Sequence, residues 1–333
     1  MADRSGEALP RRPVPGTRLS TSILGFDLPD GVAGTPDRDR ALGALLRRAR
    51  SGGVTTFVVA EGAGAGASER ALARAFPDPD PNLVFVVDRS TASLGRADER
   101  SGEGGRAAEE SLVRSLEQSS ARLAPHRAAF VRWTSAADDR DSERAEAAAL
   151  DRVLDSAVVV GVVRAIRPPA TLPLVPEVRG PELYSGDLSL LDRRLEGALA
   201  RRAEAHALGL FASDPWGAGR LDGRAITSSA LERGPGRPPT PVRELEREFA
   251  PVLRLRPLTE GRRRPLLEVA LAFSLRYGWT CAAIVPLPSP ERLGDVLAAA
   301  RAPAIPFDEW TALDAGDVTG AAGARPGSNT ARD

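Results

Sequence analysis

Short apolar runs alternate with helix-like patterns along most of the chain. Runs rich in β-branched residues predict strands, and apolar positions that recur at helical spacing predict helices. The predicted strands are Ser22–Phe26, Thr55–Ala60, Leu83–Asp88, Ala128–Trp133, Ala157–Val163, Leu183–Leu188, Gly209–Ser213 and Ala282–Val285. The predicted helices are Arg38–Ser51, Ser68–Phe76, Ala107–Leu123, Ser142–Leu154, Leu191–Ala207, Pro265–Tyr277 and Pro290–Ala300. Apolar strands that alternate with helices are typical of a parallel sheet covered on both faces, and this number of strands indicates an α/β fold of the (β/α)8 TIM-barrel type.

The two ends of the chain depart from this pattern. Residues 1–17 and 315–333 are rich in Gly, Pro, Ala and charged residues, which predicts a disordered tail on each side of a barrel spanning residues 18–314. The segment Arg167–Gly186 is rich in proline, which does not continue a helix. The barrel is therefore expected to be irregular around its fifth and sixth strands.

The charge of the chain is balanced, with 45 basic and 45 acidic residues. No net basic field draws it to nucleic acid or to an anionic membrane, and no apolar run is long enough to span a bilayer. The expected partner is a small-molecule ligand or another protein. Because the N-terminal residues lack the apolar core of a signal peptide, the expected location is the cytoplasm. Cys281 is the only cysteine, so no cysteine-built metal site is expected.

Several blocks, taken in order along the chain, resemble the aldo-keto reductases. The blocks that carry the resemblance are Thr17–Phe26, Gly53–Glu69, Leu112–Leu123, Leu188–Arg194, His206–Leu210, Pro215–Gly223, Leu271–Phe273 and Val285–Leu293. Each block alone is weakly specific, and their common order and spacing carry the assignment. The resemblance implies a TIM barrel that binds NADP(H) at the C-terminal ends of its strands.

The catalytic positions implied by this resemblance hold unusual residues. The family reduces a carbonyl with a hydride from nicotinamide and a proton from a Tyr, which is assisted by a Lys, an Asp and a His. The Asp position falls at Val58, the Tyr position at Ala63, the Lys position at Arg89 and the His position at Trp133 or Thr134. The chain contains no lysine at all. Neither valine nor alanine carries a proton, and arginine is a poor proton relay because it stays charged.

Two residues are candidate substitutes for the missing acid. Glu61 follows the second predicted barrel strand, and a carboxyl group there could take part in acid–base chemistry. Tyr184 is one of only two tyrosines and lies on the proline-rich segment, from which it could reach the strand ends. The simpler interpretations are an exposed loop carboxylate and an exposed loop tyrosine.

Residues that match the family's cofactor-binding positions are retained only where the family binds the phosphates of NADP(H). Gly217, Gly219 and Leu221 match the family's loop after strand seven, and Ser289 and Arg292 match the start of its last barrel helix. Glycines in such a loop let backbone N–H groups approach a phosphate. The contacts to nicotinamide are absent: the Ser-Asn pair falls at Val163-Arg164 or at Pro169-Ala170, the stacking aromatic at Leu188 and the adenine-side Asn at Val296. NADP(H) is thus a possible cofactor, for which the sequence retains the phosphate contacts and lacks the nicotinamide contacts.

Three functions are consistent with this inventory. The first is a degenerate aldo-keto-reductase-like barrel, without carbonyl reductase activity, that binds a ligand or a protein partner. The second is an NADP(H)-dependent oxidoreductase with displaced catalytic groups. The third is a non-redox enzyme built in the same pocket.

Overall fold

The strands form one closed barrel and one small hairpin. A computed structural model of the chain describes residues 8–29, 32–60, 66–91, 104–135, 140–166, 179–222 and 264–306, together with the single positions 243, 250, 252, 255 and 310. The strands are β1 (Arg11–Pro13), β2 (Ser20–Ser22), β3 (Leu24–Leu28), β4 (Thr56–Val59), β5 (Val84–Ser90), β6 (Ala128–Thr134), β7 (Gly161–Ala165), β8 (Glu182–Asp187), β9 (Leu208–Ser213) and β10 (Thr280–Pro286).

The barrel strands are all parallel and close in the order β10-β3-β4-β5-β6-β7-β8-β9. Closure pairs the last strand with the first, with Ala283 opposite Leu24 and Val285 opposite Phe26. The predicted (β/α)8 barrel is therefore confirmed. β7 and β8 pair in parallel around Val163 and Leu183. The barrel was predicted to be irregular in the connection between these two strands. Residues 167–178 of this connection lie outside the described part of the chain.

Seven helices are present in the described part of the chain, each after a barrel strand. They are α1 (Pro36–Ser51), α2 (Ala67–Ala75), α3 (Gly104–Arg122), α4 (Arg140–Asp155), α5 (Arg194–Ala205), α6 (Leu266–Leu275) and α7 (Leu293–Arg301). The start of α1 illustrates the local cause: the Thr35 hydroxyl accepts a hydrogen bond from the Arg38 N–H, and Pro36 occupies the first turn. No described helix has the length and apolar character that crossing a membrane requires.

Successive side chains of each barrel strand belong alternately to two separate hydrophobic cores. One face of each strand packs under the helices, as Phe57 and Val59 of β4 do. The other face fills the barrel lumen, as Val58 of β4 and Phe211 of β9 do. Successive side chains of a strand point to opposite faces, so these two clusters reveal which residues face the lumen. Cys281 lies in the lumen cluster, where burial raises the pKa of its thiol to about 12.

The N-terminal arm, residues 8–15, closes the bottom of the barrel. β1 pairs antiparallel with β2, the Leu9 and Val14 side chains are buried, and Val14 joins the lumen cluster. Arg12 donates to the carbonyls of the chain that leads from α6 into β10. The predicted disorder of residues 1–17 is therefore wrong from residue 8 onward, because Leu9 and Val14 are buried beneath the barrel. Residues 1–7 and 315–333 lie outside the described part of the chain.

Candidate functional site

The C-terminal ends of the barrel strands form the mouth of the barrel, where barrels of this type place their active sites. Charged side chains face the lumen there, above the apolar layers formed by residues such as Val58 and Phe211. One group comprises Asp27 of β3, Asp88 of β5 and Arg132 of β6, which we call the mouth triad. These three residues come from strands that are not all neighbours in the sheet.

The mouth triad spans the lumen. Arg132 Nε lies 2.6 Å from Asp88 Oδ1, and Arg132 Nη2 lies 2.6 Å from Asp88 Oδ2, a bidentate ion pair. The same Nη2 lies 3.1 Å from Asp27 Oδ2. β4 and β5 separate β3 from β6 in the sheet, so this contact reaches across the barrel interior. The network ties three strand ends together at the place where a substrate of this fold would bind.

Asp27 and Asp88 differ in how strongly each interacts with Arg132. Burial would lower the pKa of Arg132, but the adjacent carboxylates, Asp88 foremost, raise it above its usual value. Burial raises the pKa of Asp27, and its longer contact with Arg132 only partly opposes this. Arg132 is therefore a fixed cation matched mainly to Asp88, and Asp27 is a carboxyl group of the triad whose pKa is raised.

Val58, the position matched to the family aspartate, faces the lumen and is fully packed. Its side chain is 1% exposed and belongs to the lumen cluster below the mouth triad. A valine here contributes only packing. Ala63 and Glu61, the predicted tyrosine position and the predicted substitute acid, lie outside the described residues.

Arg89 and Trp133 point away from the mouth. Arg89 donates to the Ser115 hydroxyl and carbonyl and to the Ser119 hydroxyl, all on α3. Trp133 donates its indole N–H to Glu146 of α4 at 3.0 Å. Both side chains are buried between the barrel wall and the helices. Their places at the strand ends are as the sequence predicts, but they cannot act at the mouth; the inward residues of these strands are the preceding ones, Asp88 and Arg132.

Tyr184 is a buried strand residue rather than a loop residue. It lies in β8 with no exposed surface, and its hydroxyl donates to Glu182 at 2.8 Å. Burial raises the pKa of this phenol, and the hydrogen bond to Glu182 adds to the effect. The neighbouring Leu183 and Ser185 occupy the alternate face, so the Tyr184 ring faces outward under the helices. The prediction that it could reach the strand ends is wrong.

The second tyrosine also lies far from the mouth. Tyr277 follows α6, just before β10 begins, and its ring stacks on Trp279 with centroids 4.4 Å apart. The start of a barrel strand is the bottom of the barrel. Both tyrosines of the chain are therefore placed, and neither is directed to the mouth.

Two further carboxyl groups border the mouth on the side of β8 and β9. Asp187 ends β8, and Asp214 directly follows β9. Burial raises the pKa of Asp214, and the charges of Asp187 and Asp192 add to this. Burial and the charge of Asp192 likewise raise the pKa of Asp187. The charges of Arg194 and Arg220 partly oppose these shifts, so this side of the mouth holds charged groups of both signs.

The loop after β9, residues 214–222, has an unusual backbone. Asp214, Gly217, Ala218 and Gly219 all adopt positive φ angles. The Asp214 carboxylate accepts a hydrogen bond from the Ala218 N–H at 2.7 Å, and Leu221 is fully buried. A Cβ at Gly219 would meet nothing within 4 Å, so the backbone there faces open space. The loop leaves open space at Gly219 for a ligand, but the Ala218 N–H already donates to the Asp214 carboxylate.

Ser289 and Arg292 lie at the start of α7. Arg292 precedes the first residue of the helix, and its guanidinium donates to the Asp222 carbonyl at 2.9 Å and pairs with Asp295 at 3.1 Å. Ser289 is exposed, and its carbonyl accepts from the Arg292 and Leu293 N–H groups. The structure thus brings the predicted loop and the predicted helix start together. Arg292 is the residue that joins them.

NADP(H), the cofactor that the resemblance implies, fits these residues at one end only. The glycine loop and Arg292 leave an accessible backbone and a cation for a phosphate. At the nicotinamide end, Val163 packs in the lumen cluster, and Leu188 is fully buried. The alternative pair, Pro169-Ala170, lies outside the described residues. The nicotinamide end therefore does not fit, and no chemical step is assigned to this cofactor.

Asp27, Asp88 and Arg132 are the site residues that sequence reasoning missed. Their signal is present in the sequence, since each is a charged residue that follows the apolar part of a strand. Asp88 and Arg132 also stand directly opposite one another in the β5–β6 register. Among the described residues, no group of three or more His, Cys, Asp or Glu side chains is arranged to hold a metal.

Comparisons with known proteins agree with this architecture. No protein-family model and no curated protein matches the sequence. The fold is similar to a glycerol dehydrogenase from Gluconobacter oxydans, with a TM-score of 0.68, 18% identity, and coverage of 92% of this chain and 94% of that one.

Two further solved structures give the same picture. An aldo-keto reductase from Bacillus halodurans in its holo form has a TM-score of 0.66 and 18% identity, with 92% and 96% of the two chains covered. An aldo/keto reductase from Klebsiella pneumoniae in complex with NADP and acetate has a TM-score of 0.63 and 14% identity, with 90% and 93% covered. The chain therefore has the (β/α)8 barrel fold of the aldo-keto reductases.

Proposed function

We propose that this protein is a degenerate aldo-keto-reductase-like barrel that binds a small neutral or cationic ligand, or a protein partner, at its mouth and lacks carbonyl reductase activity. We further propose that it does so in the cytoplasm, without nucleic acid or membrane. The observation that carries the proposal is the mouth triad, Asp27, Asp88 and Arg132, which stands where this fold directs its catalytic chemistry.

The proton donor of the family has no equivalent at this mouth. Carbonyl reduction needs an acid that gives up a proton next to the hydride. Tyr184 faces outward under the helices, and Tyr277 lies at the bottom of the barrel. The chain has no lysine to lower the pKa of a donor. Arg132 stays charged at all accessible pH values and cannot replace either group.

The surroundings of the triad favour binding over hydride transfer. Arg132 is 17% exposed and Asp27 is 32% exposed, so the network lies at the surface of the lumen and is open to a ligand. Apolar side chains lie below it, and carboxyl groups border it on the side of β8 and β9. A pocket with apolar walls and a few fixed charges is typical of a small-molecule site.

An NADPH oxidation assay with a panel of model aldehydes and ketones tests the absence of reductase activity. We expect rates equal to those of a control without protein, at every pH at which the protein is folded. Turnover above this control would overturn the proposal, and its loss in Asp27→Asn or Arg132→Met would make the mouth triad part of a working reductase.

The second candidate function is an NADP(H)-dependent oxidoreductase with displaced catalytic groups. It is supported by the similarity in fold to a glycerol dehydrogenase and to a reductase in complex with NADP. The positive-φ loop at residues 214–222 and Arg292 also support it. Glu61 and the carboxyl groups of the mouth are then the candidate proton donors.

A calorimetric titration separates the two candidates. NADPH, NADP⁺ and adenosine 2′,5′-bisphosphate are titrated into the wild type, Arg292→Met and a control, Arg47→Met, which changes an exposed arginine of α1. The first candidate predicts no preference for the full dinucleotide over the bisphosphate. The second predicts tighter binding of NADPH than of the bisphosphate, weakened in Arg292→Met and unchanged in Arg47→Met.

A further inference from the structure

A pocket of about 600 Å³ lies at the bottom of the barrel, at the opposite end from the mouth triad. Its walls are formed by the N-terminal arm, the second half of α6, the end of α7 and the chain that follows α7. Pockets of roughly 300–1,000 Å³ are typical of sites for small organic ligands. The pocket therefore has the size of a ligand site.

The greater part of the pocket wall is apolar. Leu271 and Leu275 of α6 contribute to it, together with Ile305 and Trp310, which follow α7. The Trp310 ring packs edge-on against Phe273 of α6, with ring centroids 5.8 Å apart, and this contact fixes the position of the tryptophan. Burial of an aliphatic chain against such a wall is favourable because it removes apolar surface from water.

The charged residues of the pocket wall are arginines. Among the described residues that line the pocket, three are arginine, namely Arg12, Arg276 and Arg301, and none is aspartate or glutamate. Arg276 is paired with Glu196, and Arg301 donates to the Gly52 carbonyl at 2.7 Å. A wall with positive charges on an apolar surface favours a ligand that is anionic and partly apolar.

Arg12 is a half-buried cation that is held in place by neutral groups. Its Nη1 donates to the carbonyls of Tyr277 at 2.9 Å and Thr280 at 2.7 Å, and its Nη2 donates to the Leu275 carbonyl at 2.7 Å. Nε takes part in none of these hydrogen bonds and is open to solvent. Burial lowers the pKa of Arg12, and no carboxyl group of the described residues is near enough to oppose this. An anion in the pocket would supply that counter-charge.

We propose that this pocket binds a straight-chain carboxylate, with the carboxylate group at Arg12 and the aliphatic chain along the apolar wall. A guanidinium and a carboxylate form charge-assisted hydrogen bonds, and the three backbone carbonyls orient Arg12 before a ligand binds. One negative charge is sufficient, because Arg276 already has Glu196 as its partner. The site is separate from the mouth, so it does not depend on the proposed function.

A calorimetric titration with butanoate, hexanoate and octanoate tests the site. We expect the affinity to rise roughly fourfold for each added CH2, because each one buries further apolar surface. Octan-1-ol has the same chain as octanoate and no charge. It should bind roughly tenfold more weakly than octanoate, because it cannot form a charge-assisted hydrogen bond with Arg12.

Variants show whether the carboxylate binds at this pocket. Ala304→Glu adds a negative charge at an exposed position of the wall and should weaken octanoate binding roughly fivefold. Ala44→Glu, the same change at an exposed position of α1, is the matched control and should leave the affinity unchanged. Asp27→Asn, a change at the mouth, should also leave octanoate binding unchanged.

Arg12→Met should reduce the affinity for octanoate to that for octan-1-ol. This variant also removes three hydrogen bonds of the N-terminal arm, so its melting curve is recorded beside the titration. Ala304→Glu keeps those hydrogen bonds, and it therefore tests the site even if Arg12→Met does not fold.

Three outcomes would overturn the proposal. The first is that none of the carboxylates binds. The second is that octanoate and octan-1-ol bind equally well, since the pocket would then recognise only the apolar chain. The third is that octanoate binds Ala304→Glu as tightly as the wild type, which would place the carboxylate elsewhere on the molecule.

Discussion

Arg132 joins two carboxylates that come from two other strands, and it is the natural residue with which to test the mouth triad. Asp27 and Asp88 are the charged groups that face it. Removing one partner of a buried ion pair leaves the other charge desolvated and uncompensated. Because these side chains are 17–32% exposed, the full cost for a buried pair does not apply.

We expect Arg132→Met to lower the free energy of unfolding by about 2 kcal/mol at neutral pH. The pKa of Asp27 is already raised in the folded state, and loss of Arg132 raises it further. A raised folded pKa gives stability that is present at acid pH and lost as the pH rises. The destabilisation should therefore shrink as the pH falls from about 7 to about 4. Urea unfolding across this range measures it.

The double variant Asp27→Asn with Arg132→Met is the control for this pH dependence. It removes the carboxyl group that takes up the proton, so the part of the pH dependence due to Asp27 should disappear. A destabilisation of Arg132→Met that grows on acidification would contradict the assigned role of Asp27.

Trp133 supports the barrel wall through Glu146, which is 7% exposed and also accepts from the Thr91 hydroxyl. Trp133→Phe keeps the aromatic ring but leaves this buried carboxylate with one donor fewer. We expect a loss of roughly 1–2 kcal/mol in the free energy of unfolding, with ligand binding at the mouth unchanged. Chemical unfolding of the purified variant measures the loss.

Trp216→Phe is the matched control for that prediction. The indole nitrogen of Trp216 is buried without a hydrogen-bond partner, so its removal breaks no hydrogen bond. This variant should be clearly less destabilised than Trp133→Phe. Equal losses in the two variants would mean that ring volume, rather than the contact with Glu146, sets the stability.

At the scale of elements, the sequence predicts the barrel well and the direction of its side chains poorly. Every predicted barrel strand is present, because apolar runs bounded by loop residues identify strands on their own. The positions assigned to Arg89 and Trp133 are each one residue beyond the inward ones. The side-chain period of a strand is two, so an offset of one residue exchanges the lumen for the helix layer.

Other parts of the site depend on contacts that a single sequence does not encode locally. The carboxylate of Asp27 meets Arg132 only because the sheet curls into a closed barrel. Likewise, the simpler interpretation of Tyr184 was an exposed tyrosine, although it lies within the predicted strand Leu183–Leu188; pairing of β8 with β7 and β9 places it in the barrel wall, where it is buried. In both cases the surroundings of the side chain depend on long-range strand pairing.

The loop at residues 214–222 gives a prediction about its glycines. Both Gly217 and Gly219 have positive φ, which alanine adopts at a cost of about 1 kcal/mol. A Cβ at Gly217 would also meet Leu191 Cδ1 at 2.9 Å, whereas one at Gly219 would meet nothing within 4 Å. We therefore expect Gly217→Ala to destabilise the protein more than Gly219→Ala does, as measured by urea unfolding.

Gly294 offers a control of opposite sign. It lies in α7, has open space around its Cα and is not among the positive-φ glycines. Alanine has the higher helix propensity, so Gly294→Ala should be neutral or stabilising by up to about 1 kcal/mol. Destabilisation by all three alanines to the same extent would show that backbone conformation is not the cause.

At the scale of the whole molecule, the N-terminal arm covers the bottom of the barrel lumen. Leu9 is 4% exposed and Val14 is 1% exposed, and Arg12 donates to the carbonyls of Leu275, Tyr277 and Thr280. Removal of residues 1–14 should lower the free energy of unfolding by at least about 4 kcal/mol, because two buried side chains and these hydrogen bonds are lost.

Removal of residues 1–7 alone is the comparison for this truncation. We expect that shorter variant to melt at the wild-type temperature and to bind no more of a hydrophobic dye. The longer truncation should melt earlier and bind more dye, since it uncovers the lower end of the lumen cluster. Identical melting curves for the two truncations would show that the arm is dispensable.

Closure of the barrel by β3 and β10 has a consequence for its synthesis. β3 leaves the ribosome before the other strands of the barrel, and β10, at Thr280–Pro286, leaves after them. Until β10 is released, β3 and β9 each present an edge of unpaired backbone groups that can join to another chain. The nascent protein is therefore most vulnerable to aggregation between the release of β9 and the release of β10, and chaperones that bind extended strands would act in that interval.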